Sequence, residues 1–384
     1  MLSNSPAHSP DGPTVLIAAV SGRALAAAAR RAGLRPRVVD FFSDLDTRAL
    51  TDGHAVPVAG DDGFSGTELL AALGELAGDE APLGVIYGAG FEDRPQLLAA
   101  LMQRWTLFGN RPDVVRKAKD PDEIARACAA LAIPHPQIAH RLPEDADQWL
   151  IKRQGGGGGG HIAAAGARKL EAGEYYQRRV AGSPVSVLLI ADGRQAEVLG
   201  LSTQWTSPGA ASAYRFGGAV QPPFPEPLCA GNLREAAIAV AQAFALRGLN
   251  SIDFLVDGKA FHLLEVNPRP GATLDIFEDA EGRLLRAHIE ACRGVLPHEP
   301  LVFARARAST IAYAPKEIVS MPEFDWPDWC RDRQNPGTHV ARDAPICSIV
   351  VDADEPAAAR RGLATRLAQF LDDVTSKANK LVVP

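Results

Sequence analysis

Nowhere in this chain do 18 apolar residues run together, and that excludes a membrane-spanning helix. Cysteine is scarce: five among 384 residues, odd in number, widely spaced and without a CxxC pair. Neither a disulfide framework nor a zinc knuckle is expected, and the thiols read as reduced and mostly buried. Positive charge is in deficit, with 40 Lys and Arg against 46 Asp and Glu, a net charge of −6 and a pI near 5.9. A nucleic-acid-binding surface, which is usually basic, is therefore not expected. The start, MLSNSPAHSPDGP, has no charged segment followed by an apolar run, so no secretory leader is read there and the expected location is the cytoplasm. The motifs GxxxxGK[ST], HExxH and GxSxG are absent, and the nine histidines lack metal-ligand spacing. That removes the P-loop, the zinc protease and the serine hydrolase.

What is present is ordinary globular material, 46% hydrophobic and 22% charged, long enough for about two to three domains. After a polar tail (residues 1–12, read as disordered), Val15–Val20 is a buried-type strand. An alanine-rich helix runs to about Arg31, Gly33 stops it, and Arg37–Val39 opens a second strand. With a third strand at Gly84–Tyr87 this is a βαβ start, assigned to residues 13–112. Asp40 ends the second strand, but only Gly22 sits in the first turn, so Asp40 is read as structural or substrate-proximal. Gly88–Asp93 lies where open α/β sheets present ligands, although an ordinary strand-to-helix loop is as good a reading. Asp120-Pro121-Asp122-Glu123 is a strong helix start. Residues 301–384 read as a β-rich module plus one helix, whose stripe Leu363, Leu367, Phe370, Leu371 and Val374 packs on its own domain or, as the sharper alternative, makes a homodimer.

Two segments carry chemistry. In SIDFLVDGKAFHLLEVNPRPGAT, Asp253, Glu265 and Asn267 are oxygen donors on a β-hairpin, a set that suits Mg²⁺ or Mn²⁺ held jointly with phosphates. Glu265 and Asn267, two apart, share a face. A two-residue Asp257-Gly258 loop would pair Asp253 with His262 and send Glu265 to the other face. A three-residue loop including Lys259 would pair Asp253 with Leu263 and bring all three together. Convergence is the expectation. In LIKRQGGGGGGHI, Lys152 ends an apolar run ahead of six glycines, Gly155–Gly160. Glycine lets backbone N–H groups approach an anion closely, and the lysine adds a point charge. A flexible linker is the plainer alternative, but the run lies between strand-like segments and lacks Ser and Pro.

A lysine with a glycine flap, then a hinge, then a D…ExN hairpin resembles the ATP-grasp superfamily from about Pro112 to Ile276. The resemblance implies an α+β / α/β fold with a pre-ATP-grasp βαβ domain and an ATP-grasp domain at 113–300, divided into a small subdomain (113–180) and a large one (181–300). It implies that ATP and Mg²⁺ activate a carboxylate as an acyl phosphate, which an amine then captures; the partners are small molecules. It assigns Asp253, Glu265 and Asn267 to metal. To ATP it assigns Lys119 (Lys117 as fallback), Lys152, Gly156, Gly157, Gly158 and Gly159, with Gln177, Arg178 and Val180 in the hinge that reads adenine. Arg269, and after it Arg215, would supply catalytic positive charge. The chain departs from the family pattern in having Pro184 where many members carry a ribose-binding glutamate, Gln177 for an acidic hinge residue and Ser251 for an arginine. The Tyr214–Gly218 and Glu265–Pro270 runs are similar to tyramine–glutamate ligases of one-carbon cofactor pathways (methanofuran and tetrahydromethanopterin), which would make the substrates glutamate and an aryl amine. The rival readings are a kinase or carboxylase-like enzyme of the same superfamily and a non-catalytic nucleotide-binding module.

Overall fold

The computed structural model describes residues 12–60, 63–277 and 279–380, so the polar tail lies, apart from Gly12, outside the described residues. The chain opens on a parallel five-stranded sheet. Thr14–Ala18 is central, flanked by Arg35–Val39 on one side and Val85–Tyr87 on the other, with Gly53–Ala55 and Leu107–Phe108 at the edges. TVLIA is buried at every position because helices cover both faces, which is why it reads as unbroken apolar sequence. The expected helix is Arg23–Arg31, and Gly33 follows it at φ +79°, a conformation that favours glycine. Asp40 accepts from the N–H groups of Gly22 and Ser43, at 2.9 and 2.8 Å, so it fastens the first turn to the strand end.

Next comes a small antiparallel sheet of four strands. Trp149–Arg153 lies between Ala163–Ala164 and Glu174–Arg178, and Ile138–Ala139 flanks the latter. The glycine run connects the paired strands Trp149–Arg153 and Ala163–Ala164. It is a hairpin loop of a folded unit, not a linker.

The third sheet has eight strands. Its order is Ala260–Asn267, Arg247–Asp257, Ser183–Asp192, Ala196–Thr206, Phe216–Gln221, Ala306–Tyr313, Pro345–Ala353 and Cys330–Arg331, each antiparallel to its neighbour. The residues after 300 therefore extend the sheet that carries the acidic hairpin. Helix Pro356–Lys380 covers this extension, with Leu363, Phe370 and Val374 buried and Leu367 and Leu371 packed against the same core. The stripe is filled from within the chain, which removes it as a dimer surface.

One apolar core joins the first sheet to the third: Val15, Ile17, Ala26 and Ala29 pack with Leu188, Ile190, Leu249, Leu285 and Ile289. A buried polar knot crosses the same boundary. The Asn110 amide donates to Asn250 Oδ1 (2.6 Å) and to the Pro268 carbonyl (2.9 Å), and the Tyr87 hydroxyl lies 3.1 Å from that carbonyl. Satisfied buried networks of this kind hold one geometry, here that of the backbone between Asn267 and Arg269.

Candidate functional site

The acidic hairpin turns through Gly258-Lys259, since Asp257 pairs with Ala260. Neither loop weighed from the sequence is present. With that turn alone Asp253 would face Leu264. A bulge between Asp253 and Phe254 shifts the register, so Asp253 lies directly opposite Glu265 and Ser251 opposite Asn267. Cross-strand partners share a face, so the three donors converge by a route the sequence did not disclose. Asn267 Nδ2 donates to Asp253 Oδ2 at 2.8 Å, and Ser186, from the adjoining strand, donates to Asp253 Oδ1 at 2.6 Å.

Lys119 comes to this face from the turn between helices Pro112–Ala118 and Pro121–Ala130, where Asp120 caps the second helix as expected. Its buried ammonium donates to the Glu265 carboxylate and, at 3.2 Å, to the Val266 carbonyl. Lys152 is 7% exposed, and its ammonium has no hydrogen-bond partner among the described residues. Burial pulls its pKa down, against the pull of Glu265. Burial also pushes the Glu265 carboxyl up, but Lys119 and Lys152 outweigh it and hold Glu265 below its ordinary value. The Asp253 carboxyl goes the other way, to about 6, through burial and then repulsion from Glu265. Two carboxylates facing each other across the strands and an all-oxygen donor set fit a hard cation such as Mg²⁺ or Mn²⁺. Among the described residues no cluster of three or more His, Cys, Asp or Glu closes a metal cage. A cation here would complete its shell with oxygens from water or phosphate.

The glycine loop lies down on the large sheet. Phe216 N–H donates to the Gly158 carbonyl at 2.9 Å, and the Ser212 hydroxyl donates to the Gly159 carbonyl at 2.8 Å. Gly159 has φ +74°, and a Cβ there would sit 1.9 Å from the Tyr214 carbonyl oxygen. Gly155, at φ +76°, abuts Asp93 of the first domain in the same way. Glycine is required at these two points by conformation and by contact.

Arg269 is 9% exposed and reaches the cleft from behind Asn267. Its Nε donates to Glu92 Oε1 at 2.7 Å, while the other Glu92 oxygen accepts from Gly90 and Phe91 N–H groups at 2.7 and 3.0 Å. Burial would push the Glu92 carboxyl up, but Arg269 and Lys119 hold it down at about 2. Glu92, within the Gly88–Asp93 loop, thus anchors the arginine. Arg215 is the correction. Its guanidinium donates to the carbonyls of Ser207 (2.8 Å) and Asp343 (2.7 Å) and stacks 3.6 Å over Tyr313, so it braces the flap-docking loop and does not reach the acidic cluster.

In the hinge, Arg178 and Arg179 N–H groups are taken by the Gln137 and Gln148 carbonyls, both at 2.8 Å. The Arg178 side chain pairs with Asp145 at 3.3 Å. Val180 N–H has no partner among the described residues, and the Gln177 side chain is 3% exposed. Lys152 and Gln177 stand on paired strands of the small sheet, and Val180 follows the Gln177 strand.

Asp253, Glu265, Asn267, Arg269 and the loop glycines Gly155, Gly157 and Gly158 line a cavity of about 600 Å³. It extends away from the hinge, between the first domain and the strands after residue 300. Sequence reasoning missed Ser186, Glu92 as an anchor, and the whole far wall. Ser186 could have been found from strand register alone; the rest depends on tertiary contacts.

Residues 118–273 match the family model described as ATP-grasp domain, so the chain carries an ATP-grasp domain. It is 22% identical over 232 residues to the carbamoyl phosphate synthase large chain of Myxococcus xanthus, an alignment that covers 54% of this chain and 21% of that one. The chain thus spans about a fifth of the length of that curated relative. Biotin carboxylase from Campylobacter jejuni superposes with a TM-score of 0.68 at 15% identity, covering 90% of this chain and 89% of its own. N5-carboxyaminoimidazole synthetase from Staphylococcus aureus, solved with ADP, superposes at 0.65 and 14% identity, covering 93% and 97%. At these identities the superpositions show a shared fold.

Proposed function

We propose that the protein is an ADP-forming carboxylate–amine ligase working through an acyl phosphate. The observation that carries this reading is Asp253 placed opposite Glu265 by the strand bulge, with Lys119 on Glu265 and the glycine loop closed above. Asp253, Glu265 and Asn267 would hold Mg²⁺ or Mn²⁺, which when bound neutralises charge on the phosphate oxygens. Lys152 and the backbone of Gly156–Gly159 would hold the ATP phosphates, and Gln177 and the Arg178–Val180 backbone the adenine. Lys119 supplies a second cation beside the transferring group.

Arg269, steadied by Glu92, would orient the substrate carboxylate. A carboxylate oxygen attacks the γ-phosphorus, the bond to ADP breaks, and ADP leaves. The docked loop keeps water from the acyl phosphate. The amine nitrogen then bonds to the acyl carbon, phosphate departs with the former carboxylate oxygen, and the amine releases a proton. No side chain serves as a covalent nucleophile.

For the finer identity we favour glutamate and an aryl amine, supported by the resemblance of the Tyr214–Gly218 and Glu265–Pro270 runs to tyramine–glutamate ligases. The test is a coupled ADP-release screen over amino acids crossed with aryl amines. ADP and phosphate should appear together only when carboxylate and amine are both present, and Glu265→Gln should abolish turnover. Equal ADP release with bicarbonate and no amine would favour the carboxylase-like reading and reject this one.

A further inference from the structure

We propose that the far end of the 600 Å³ cavity is a binding site for a primary amine presented as its cation on an apolar body. The proposal rests on the ligase reading for its place in the reaction, but not for its chemistry. The far wall is built by Val20–Phe64 of the first domain and by Ser309–Ser348 of the added strands, both outside the 118–273 match. The nucleotide-binding module therefore leaves this wall to the rest of the chain.

Charge decides what the wall prefers. Among the charged residues lining the cavity outside the metal cluster, Glu92 pairs with Arg269 and Asp93 with Arg94 at 3.6 Å. What remains is one cation, Arg23, against Asp44, Asp275 and Asp332. Arg23 is itself spent: its guanidinium donates to Asp275 at 2.6 Å and to Asp332 at 2.9 and 3.0 Å, with 4% exposure. An entering phosphate would meet no open cation there, whereas an ammonium would meet surplus negative charge. Asp44 is itself buried at this end, and burial, and then Asp332, push its carboxyl up to about 6.

The remaining lining suits an apolar body. Phe41 and Phe64 stack with ring centroids 4.5 Å apart, and Phe42, Val20 and Ile346 line the same end. Between this end and the metal cluster stand Ser251 and Thr273, 6% and 5% exposed, whose hydroxyls have no hydrogen-bond partner among the described residues. These hydroxyls open on the cavity, where a ligand would hydrogen-bond with them.

The experiment measures binding by saturation-transfer NMR and calorimetry on the full chain with MgADP, near neutral pH. The probes are 2-phenylethylamine, its neutral analogue 2-phenylethanol and the anion phenyl phosphate. The amine should bind about tenfold more tightly than the alcohol, and phenyl phosphate should not bind at this site. Asp44→Asn keeps an oxygen to cap the Leu45–Leu50 helix and should cut amine affinity about tenfold while sparing the alcohol. Asp332→Asn, at φ +55° where asparagine is tolerated, is the second variant and should act in the same direction. Phenyl phosphate binding as tightly as the amine, no binding by any probe, or an unchanged amine-to-alcohol ratio in both variants would overturn the proposal. Binding needs no turnover, so a missing ADP signal with normal amine preference rejects the ligase reading alone. Turnover confined to anionic acceptors rejects this inference alone.

Discussion

Glu92 shows how much a single buried pair settles. It lies 177 residues from Arg269 along the chain, yet it fixes the orientation of that side chain through a 2.7 Å bond. Its pKa, held at about 2, is below the ordinary carboxylate value of 4.5, so its contribution to stability is complete above about pH 4.5 and is lost as pH falls through about 2. Glu92→Gln should lower stability near neutral pH by about 3 kcal/mol, because it leaves a buried arginine uncompensated. It should also flatten the acid limb of stability between pH 4.5 and 2, which chemical denaturation across that range would measure. An unchanged acid limb would mean that the pair contributes nothing.

At the scale of the element, the glycine loop and the bulged hairpin depend on contacts in different ways. Six glycines allow a phosphate loop, but where a side chain is excluded is decided by what each one touches. A Cβ on Gly159 would collide with the Tyr214 carbonyl, whereas one on Gly160 meets nothing within 4 Å. Under the proposed ligase reading, Gly159→Ala should therefore keep the loop from docking and lower kcat/KM by about 10²-fold, with ADP formed in excess of amide as the acyl phosphate meets water. Gly160→Ala should stay near the parent on both measures. Comparing ADP with amide yield in the two variants is the check, and equal behaviour would count against the loop as a lid.

At the scale of the molecule, the strands after residue 300 continue the sheet that bears the hairpin, and the first domain shares its apolar core with that sheet. Truncation at residue 300 would bare the Phe216–Gln221 edge and remove the partners of Val220. The shortened chain should be insoluble or lack a cooperative melt, as circular dichroism and size-exclusion chromatography would report. A well-folded fragment that binds ATP would show the added strands to be dispensable.

The sequence alone determined those features that rest on local chemistry. The Val15 strand, the helix ending at Gly33, the Asp120 cap and the D…ExN spacing each follow from periodicity, capping or donor type within a few residues. Register is not local. The bulge that sets Asp253 against Glu265, the dismissal of Arg215 to the flap-docking loop, and the anchoring of Arg269 by Glu92 all needed distant strands in place. Even more so did the far wall of the cavity, where Arg23, Asp275 and Asp332 arrive from three parts of the chain. Spacing along a chain states which groups share a strand face. Only packing states which faces meet, because burial and charge pairing are properties of the assembled volume.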